Sequence, residues 1–412
     1  MVGAVNRVVD VLVVGAGPAG LAAAARLASA EGGRYRIEVL EREREAGGVP
    51  RHCAHGGFGL ADLGRPLDGP GYARRLARAA VRAGATLRTG VSATGWSGPL
   101  TLEVTAPTGL ERITARAVVL ATGARERPRS ARLVPGTRPA GVLTTGELQQ
   151  STHVYGVRRE RLGRRAVVIG AEPVAHHAVR ALRRARADVV AMVTEQPRGP
   201  RRFGAPALPP LLTGATVTEL LGRGRLAAIR VRHADGRTGT IRCDTAVFTG
   251  DWIPDHELAR SGRVLLNAGT RGPSVDGAFR TASEGIFAAG NVLRGIESAG
   301  TAATEGRGAA DGVLRYLSGE RWPESAVPLT AEGPVRWMAP NRVPDATAGG
   351  PLLLRVREPL TRPLVEVVQD GRVLHRARLV GTAWPHRSVR VPAGWARGVD
   401  PAGGPVEVRL TV

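Results

Sequence analysis

Short apolar runs, each closed by glycine, punctuate the first three hundred residues. Residues 11–14, Val-Leu-Val-Val, show no polar alternation and are too few for a core helix, so they predict a strand buried on both faces. A glycine-rich turn follows. The small-residue run 21–27 then predicts a helix, and 36–41 a second strand ending on Glu41. Helical spacing returns at 72–83, with Tyr72, Leu76, Ala79 and Ala80 on one side and Gly84 as the stop. Residues 86–91 predict a strand. Alternation at 100–105 and 110–114, around Pro107-Thr108-Gly109, predicts a β-meander, and 117–120 a buried strand running into Thr122-Gly123.

The same order then repeats. Residues 165–169 predict a strand, Gly170 a turn, and Ala175 an early helix position. Residues 189–195 form the next strand and end on Glu195. Residues 226–231 and 238–242 flank the turn Asp235-Gly236, and 245–248 run into Thr249-Gly250. Two copies of one order are far more specific than either turn alone. Residues 286–289 predict a short strand that resumes the first copy, and a small-residue helix runs from Ser298 to about Leu317. From about residue 332 only strand alternation remains, at 352–356, 364–368, 373–379, 388–391 and 406–412, with a hairpin turn at Asp370-Gly371. The fold class is α/β: two Rossmann-like, three-layer (ββα) dinucleotide-binding domains, the second inserted in the first, plus a small C-terminal antiparallel, sandwich-like β domain. The expected boundaries are 1–127, 128–250, 251–330 and 331–412.

The first glycine turn carries specific chemistry. Gly15 permits the turn out of the strand, Gly17 leaves room for a pyrophosphate against the backbone, and Gly20 lets the helix approach the sheet. The helix N-terminus offers N–H groups and partial positive charge to the phosphates. Glu41 ends the second strand and accepts hydrogen bonds from a ribose. Thr122 and Gly123 let the chain come close to the nucleotide. In the second copy the matching positions are Gly170, Glu172 and Ala175. A carboxylate at the middle position blocks and repels a pyrophosphate, so this copy is expected to be scaffold. If it does bind, Glu195 favours NADH, whereas Arg198, Arg201 and Arg202 favour NADPH.

The net charge of +22 invites a nucleic-acid reading, but all 58 basic residues are arginine, they are spread along the chain, and aromatic residues make up 4%. A solvated basic surface is the reading taken, without nucleic acid. Two cysteines, Cys53 and Cys243, exclude a disulfide scaffold and a four-cysteine iron–sulfur cluster. No apolar run spans a membrane, and no signal peptide is expected, which points to the cytoplasm. His176-His177 are adjacent on a helix, diverge by 100°, and are expected at the surface with no metal.

The duplication, Thr122-Gly123 and Gly-Ile-Phe-Ala-Ala-Gly-Asn at 285–291 resemble the flavoproteins with two dinucleotide-binding domains, the pyridine nucleotide–disulfide oxidoreductase group. The resemblance covers about residues 8–318. It implies FAD in the first domain and NAD(P)H in the second. It places FAD along Gly15, Gly17, Pro18, Ala19, Gly20, Glu41, Gly48, Val91, Ala121, Thr122 and Gly123. Gly290 and Asn291 then meet the ribityl chain and phosphate, and Ser298 and Ala299 point a helix N-terminus at the flavin ring. Asn291 stands where the family commonly has Asp, and the redox cysteine pair of the disulfide reductases is missing. The runs Gly-Gly-Val-Pro-Arg-His-Cys and Gly-Pro-Gly-Tyr-Ala-Arg-Arg-Leu look most like the branch of FAD subunits of opine oxidase, hydrogen cyanide synthase and heteromeric sarcosine oxidase.

In the loop after Gly48, Arg51, His52 and His55 are the catalytic candidates: Arg51 for a substrate carboxylate, a histidine for a proton. The plain alternative is a polar loop covering the flavin, with Cys53 a packed thiol. The leading functional expectation is an FAD-dependent oxidoreductase taking hydride from a small organic substrate, an amine or amino-acid-like C–N bond. Electrons then go to oxygen, a quinone, or a second flavoprotein or electron-acceptor subunit. An NAD(P)H-dependent flavoprotein reductase, and a subunit with an assembly role, are the alternatives.

Overall fold

A computed structural model describes residues 5–157, 159–196, 209–344 and 351–411. The chain forms two compact units. One holds the chain through Arg51, Gly56–Arg125 and Ile253–Val412. The other holds His52–His55 and Glu126–Trp252.

The first unit opens with β1 (Val5–Val14), α1 (Pro18–Ser29) and β2 (Ile37–Glu41), followed by α2 (Gly69–Arg82), β3 (Thr86–Thr89), β4 (Ser92–Gly98), β5 (Thr101–Ala106) and β6 (Gly109–Leu120). Residues 11–14 are buried because β1 is parallel to β2 on one side and β6 on the other. The two strands expected at 110–114 and 117–120 are one. β6 alternates exposed and buried positions from Leu110 to Arg116 and is buried throughout its last four residues. The hydropathy pattern changes mid-strand because the covering changes from one face to two, which disguised its continuity. Ser92–Gly98, with glycines at positions 95 and 98, showed no strand pattern in the sequence.

The second unit repeats the plan with β7 (Val142–Thr144), α3 (Thr145–Gln149), β8 (Arg165–Ile169), α4 (Pro173–Arg184), β9 (Asp188–Val193) and β10 (Leu211–Leu212). Then come β11 (Ala215–Leu221), β12 (Ala228–His233), β13 (Thr238–Arg242) and β14 (Thr245–Phe248). The parallel sheet runs β7-β14-β8-β9-β10, and β11-β12-β13 form a separate antiparallel sheet. α4 buries Ala175, Ala178, Val179 and Leu182, spaced at helical period, against that parallel sheet.

The chain returns to the first unit with β15 (Ile286–Ala288), which adds beside the end of β6, and α5 (Ala299–Leu317), which packs on α1. After these come β16 (Val327–Ala331), β17 (Val335–Ala339), β18 (Arg342–Val343), β19 (Leu352–Val356), β20 (Leu364–Gln369), β21 (Arg372–Arg378), β22 (Val389–Val391) and β23 (Val406–Thr411). Sheets β18-β16-β23-β20-β21 and β17-β19-β22 enclose one apolar core, from Val327, Leu329, Val367 and Val408 on one side and Leu352, Leu354 and Val391 on the other. The antiparallel expectation needs one correction: β16 and β23 pair in parallel, because β16, which the alternation at 332 and beyond did not reveal, inserts beside the last strand. Among the described residues no helix is long and apolar enough to cross a membrane.

α1 and α5 touch backbone to backbone. A Cβ on Gly306 would lie 2.0 Å from the Ala19 carbonyl oxygen. Gly306→Ala should therefore lower stability by about 2 kcal/mol or more, as overpacking against rigid backbone does. Urea melts of both proteins check this, and equal midpoints would contradict the packing.

Candidate active site

The first glycine turn is held from several directions. Gly15, at φ +102°, donates its N–H to the Leu40 carbonyl at 2.9 Å, and a Cβ there would sit 2.4 Å from the Ala121 oxygen. A Cβ on Gly20 would lie 1.9 Å from the Gly15 oxygen. Gly47 donates to the Ala16 carbonyl at 2.8 Å, and Gly48, at φ +61°, packs so closely that a Cβ would meet Gly17 Cα at 2.9 Å. Gly17 differs from all of these. Its φ of −79° suits any residue, and a Cβ on it would meet nothing within 4 Å. It caps α1 with no side-chain hydrogen bond, Pro18 opens the helix, and the first-turn N–H groups of Ala19 and Gly20 are beyond intrahelical partners. Neither backbone strain nor a protein neighbour requires glycine at position 17. The open space over those N–H groups fits a dinucleotide pyrophosphate.

Glu41 is buried, and burial raises its pKa against the pull of two backbone hydrogen bonds. It accepts from Ala16 N at 3.1 Å and Glu43 N at 2.9 Å, which aims the carboxylate along the turn with lone pairs to spare for a ribose. Val91 N donates to the Glu41 carbonyl at 2.9 Å, and Ala121 N to Val14. The Thr122 hydroxyl donates to the Asp255 carbonyl at 2.6 Å, while Asp255 N donates to Gly123. Thr122 therefore braces the chain with its side chain. Gly290, at φ +80°, approaches so closely that a Cβ would lie 2.6 Å from Ala19 Cβ. Asn291 accepts from Glu297 N at 2.9 Å and donates to the Glu297 carbonyl at 3.3 Å, closing the loop that leads to Ser298. Ser298 caps α5, accepting from Thr301 N at 3.1 Å, so Ala299 opens a helix whose free N–H end lies at the end of that loop. Beside it, Tyr72 donates to Asp62 Oδ2 at 2.6 Å and to the Ala299 carbonyl at 3.3 Å. Burial with Asp62 raises the Tyr72 pKa, and Asp62 Oδ1 is buried without a hydrogen-bond partner. Nothing in the sequence pattern singled out this pair, because its members lie on a short helix and on α2 and meet only in the fold.

Arg51 and His55 each have protein partners of their own. The Arg51 guanidinium donates to the Glu45 carbonyl at 2.6 Å and lies 3.7 Å from Glu43 and 3.8 Å from Glu45 carboxylate oxygens, so the acidic turn before it takes up its charge. His52 and His55 belong to the second unit. There His55 stacks on His177, ring centroids 3.6 Å apart and planes within 5°. His177 is thus half-buried rather than at the surface, as helix position alone had suggested. Cys53 is buried, donates to Gln149 Oε1 at 3.4 Å, and has its pKa pushed up to about 12 by desolvation, with Glu126 adding to it. It stays a thiol. Cys243 is also buried and raised to about 12. Among the described residues no three His, Cys, Asp or Glu side chains could hold a metal ion.

At the second glycine turn the carboxylate of Glu172 folds over its own backbone. Glu172 is the N-cap residue of α4 without a side-chain capping bond; its carboxylate accepts from Ala171 N at 3.0 Å and lies 2.8 Å from where a Cβ would stand on either Gly170 or Gly250. That is the place at the strand ends where a phosphate would go. Arg132 braces the floor through the carbonyls of Thr249 and Gly250, at 3.1 and 2.7 Å. Glu126 is buried, accepts from Gly146 N at 2.8 Å, and is raised to about 7, chiefly by desolvation. Arg198, Arg201 and Arg202 lie outside the described residues.

Two titrations in this unit oppose each other. Desolvation, with His55 nearby, lowers His177 to about 4, so its contribution is complete above pH 6.5 and lost as pH falls towards 4. Glu126 contributes most below about pH 4.5 and loses it as pH rises through 7. Between pH 4.5 and 6.5 the two slopes should largely cancel. Glu126→Gln should leave stability rising with pH, and His177→Gln should leave it falling. Denaturant melts across pH 4 to 8 check both, and parallel curves for the two variants would contradict the assignment.

The family profile described as pyridine nucleotide-disulphide oxidoreductase matches residues 9–306. The chain is 30% identical over 268 residues to the sarcosine oxidase subunit alpha of Rhizobium meliloti (strain 1021), covering 63% of this chain and 26% of that one. It is 36% identical over 168 residues to the same subunit of Corynebacterium sp. (strain P-1), covering 36% and 16%. The chain thus spans about a quarter or less of these relatives' length. A solved thioredoxin reductase of T. acidophilum shares the fold, with a TM-score of 0.61 at 22% identity over 76% of this chain and 99% of that one. With the duplicated turn, the uncapped α1 and the family match in agreement, the chain belongs to the pyridine nucleotide-disulphide oxidoreductase family of flavin-dependent enzymes, with FAD as its cofactor.

Proposed function

We propose that the protein oxidises a C–N bond of a small amine or amino-acid-like substrate and does not take electrons from NAD(P)H. The observation that carries this is Glu172, whose carboxylate occupies the phosphate position of the second turn. The substrate class is supported by the similarity to alpha subunits of sarcosine oxidase. Bound FAD supplies the two-electron acceptor: the substrate carbon loses hydride, its nitrogen loses a proton, and an imine results. The N–H groups of Ala19 and Gly20 hold the pyrophosphate, Gly17 leaves room for it, and Glu41 takes the ribose. The N-terminus of α5, at Ser298 and Ala299, stabilises negative charge at the ring. Arg51, His52 and His55 remain the proposed substrate-side residues. A substrate carboxylate at Arg51 competes with Glu43 and Glu45, and His52 takes the substrate proton. Electrons pass on to oxygen, a quinone or a partner subunit. A partner is supported by the relatives being named as subunits and by the short span matched in each.

The visible spectrum of the purified chain, followed by anaerobic addition of NADH, NADPH and sarcosine, tests this reading. The flavin should stay oxidised with either nucleotide and bleach with an amine substrate. Bleaching by NADH within a turnover time would overturn it in favour of a reductase. Glu172→Gly should create nucleotide binding that the parent lacks. Gly17→Ala should fold with unchanged stability, because its Cβ meets no protein atom, yet be purified without flavin. A Gly17→Ala protein that keeps its flavin would place the pyrophosphate elsewhere.

A further inference from the structure

We infer that the C-terminal β region positions the flavin end of the site, with Arg355 as the positioning residue. This rests on the proposed placement of FAD at Gly290, Asn291 and the start of α5. A chain of contacts leaves that place and ends on α5. Asn291 holds Glu297 through both backbone groups. The Glu297 carboxylate accepts from Arg355 Nη2 at 2.6 Å and from the Ser388 hydroxyl. Arg355 Nη2 also donates to the Ile296 carbonyl at 2.6 Å, so one guanidinium fixes two successive residues just before Ser298. The guanidinium carbon of Arg355 stands 4.9 Å from the centre of the Trp337 ring, and that of Arg294 stands 5.5 Å from it. Arg294, fully buried, pairs with Glu305 of α5. Trp337, Arg355 and Ser388 belong to the β region. The other members flank the loop from Gly290 to α5. The chain of contacts pairs two arginines with two glutamates. Its directional grip on the segment entering α5 is Arg355.

The test uses the flavin-loaded full chain with Arg355→Ala, Arg355→Lys, Ser388→Ala and, as a control for lost charge, the exposed Arg390→Ala. FAD dissociation constants, flavin absorbance and midpoint potentials are measured beside far-UV circular dichroism. Arg355→Ala should bind FAD at least tenfold more weakly. It should also lose about tenfold of its preference for reduced flavin, a shift of about 30 mV to more negative potential for a two-electron couple. Lys should recover part of both effects, Ser388→Ala should show a smaller shift of the same sign, and Arg390→Ala none. A folded Arg355→Ala with parental affinity and potential would overturn the inference. Should that variant fail to fold, unchanged values in Arg355→Lys and Ser388→Ala would do the same. A parent chain that binds no FAD would instead refute the cofactor placement itself.

Discussion

The first unit depends on a contact that no side chain could survive. α5 crosses α1 where Gly306 faces the Ala19 carbonyl, and Gly290 faces Ala19 Cβ from the other side. Ala19 is also one of the residues whose N–H points out of the uncapped helix end. The packing that joins the two halves of this unit therefore sets the position of the proposed anion site as well. A methyl group added at Gly306 would push on the same residue that is to hold a phosphate. Stability and binding meet in Ala19, and this explains why so many glycines cluster around one short helix start.

The second unit shows what the same topology does without that freedom. Glu172 stands where Gly17 stands in the first, and it supplies the helix N-terminus with an anion from the chain itself. An acid at that position is worth about 0.3–1 kcal/mol to the helix, and its own charge opposes a phosphate at about 4 Å by roughly 1 kcal/mol even in water. Being covalently attached, it loses little freedom by staying. An external dinucleotide would have to displace it and bear the whole entropy of binding. A carboxylate thus fills the second turn while the strand, turn and helix stay intact, with its Oε1 left without a hydrogen-bond partner.

Much of this was legible in the sequence. Strands buried on both faces, helices with glycine stops and the duplicated order each follow from local rules, and the structure places them within a few residues of the expected ends. The glycine positions were legible for the same reason, since close approach leaves a residue-type signature. What failed depended on partners distant in sequence. β6 looked like two strands because its covering changes half-way. His177 looked exposed because its stacking partner, His55, is more than a hundred residues away. The pairing of Asp62 with Tyr72 gave no signal at all.

Composition misled in a more instructive way. The arginine excess is easily read as a solvated surface, yet Arg280, Arg294 and Arg355 are among the buried residues. Arginine can occupy such places because its charge is spread over a plane with five donors and stacks on an aromatic face. The Arg294–Glu305 and Arg355–Glu297 pairs are poor candidates for raw stability, since Arg294 Nε and Nη1 and Glu305 Oε2 find no protein partner and apolar replacements of buried pairs often stabilise. What such pairs supply is direction. Apolar contact resists separation but tolerates sliding, because burial is non-directional. A guanidinium shared between one carbonyl and one carboxylate of adjacent residues tolerates neither. For a loop that must present a helix end at a fixed place, orientation is the property that matters, and in the β region it is a buried arginine, not the apolar core, that supplies it.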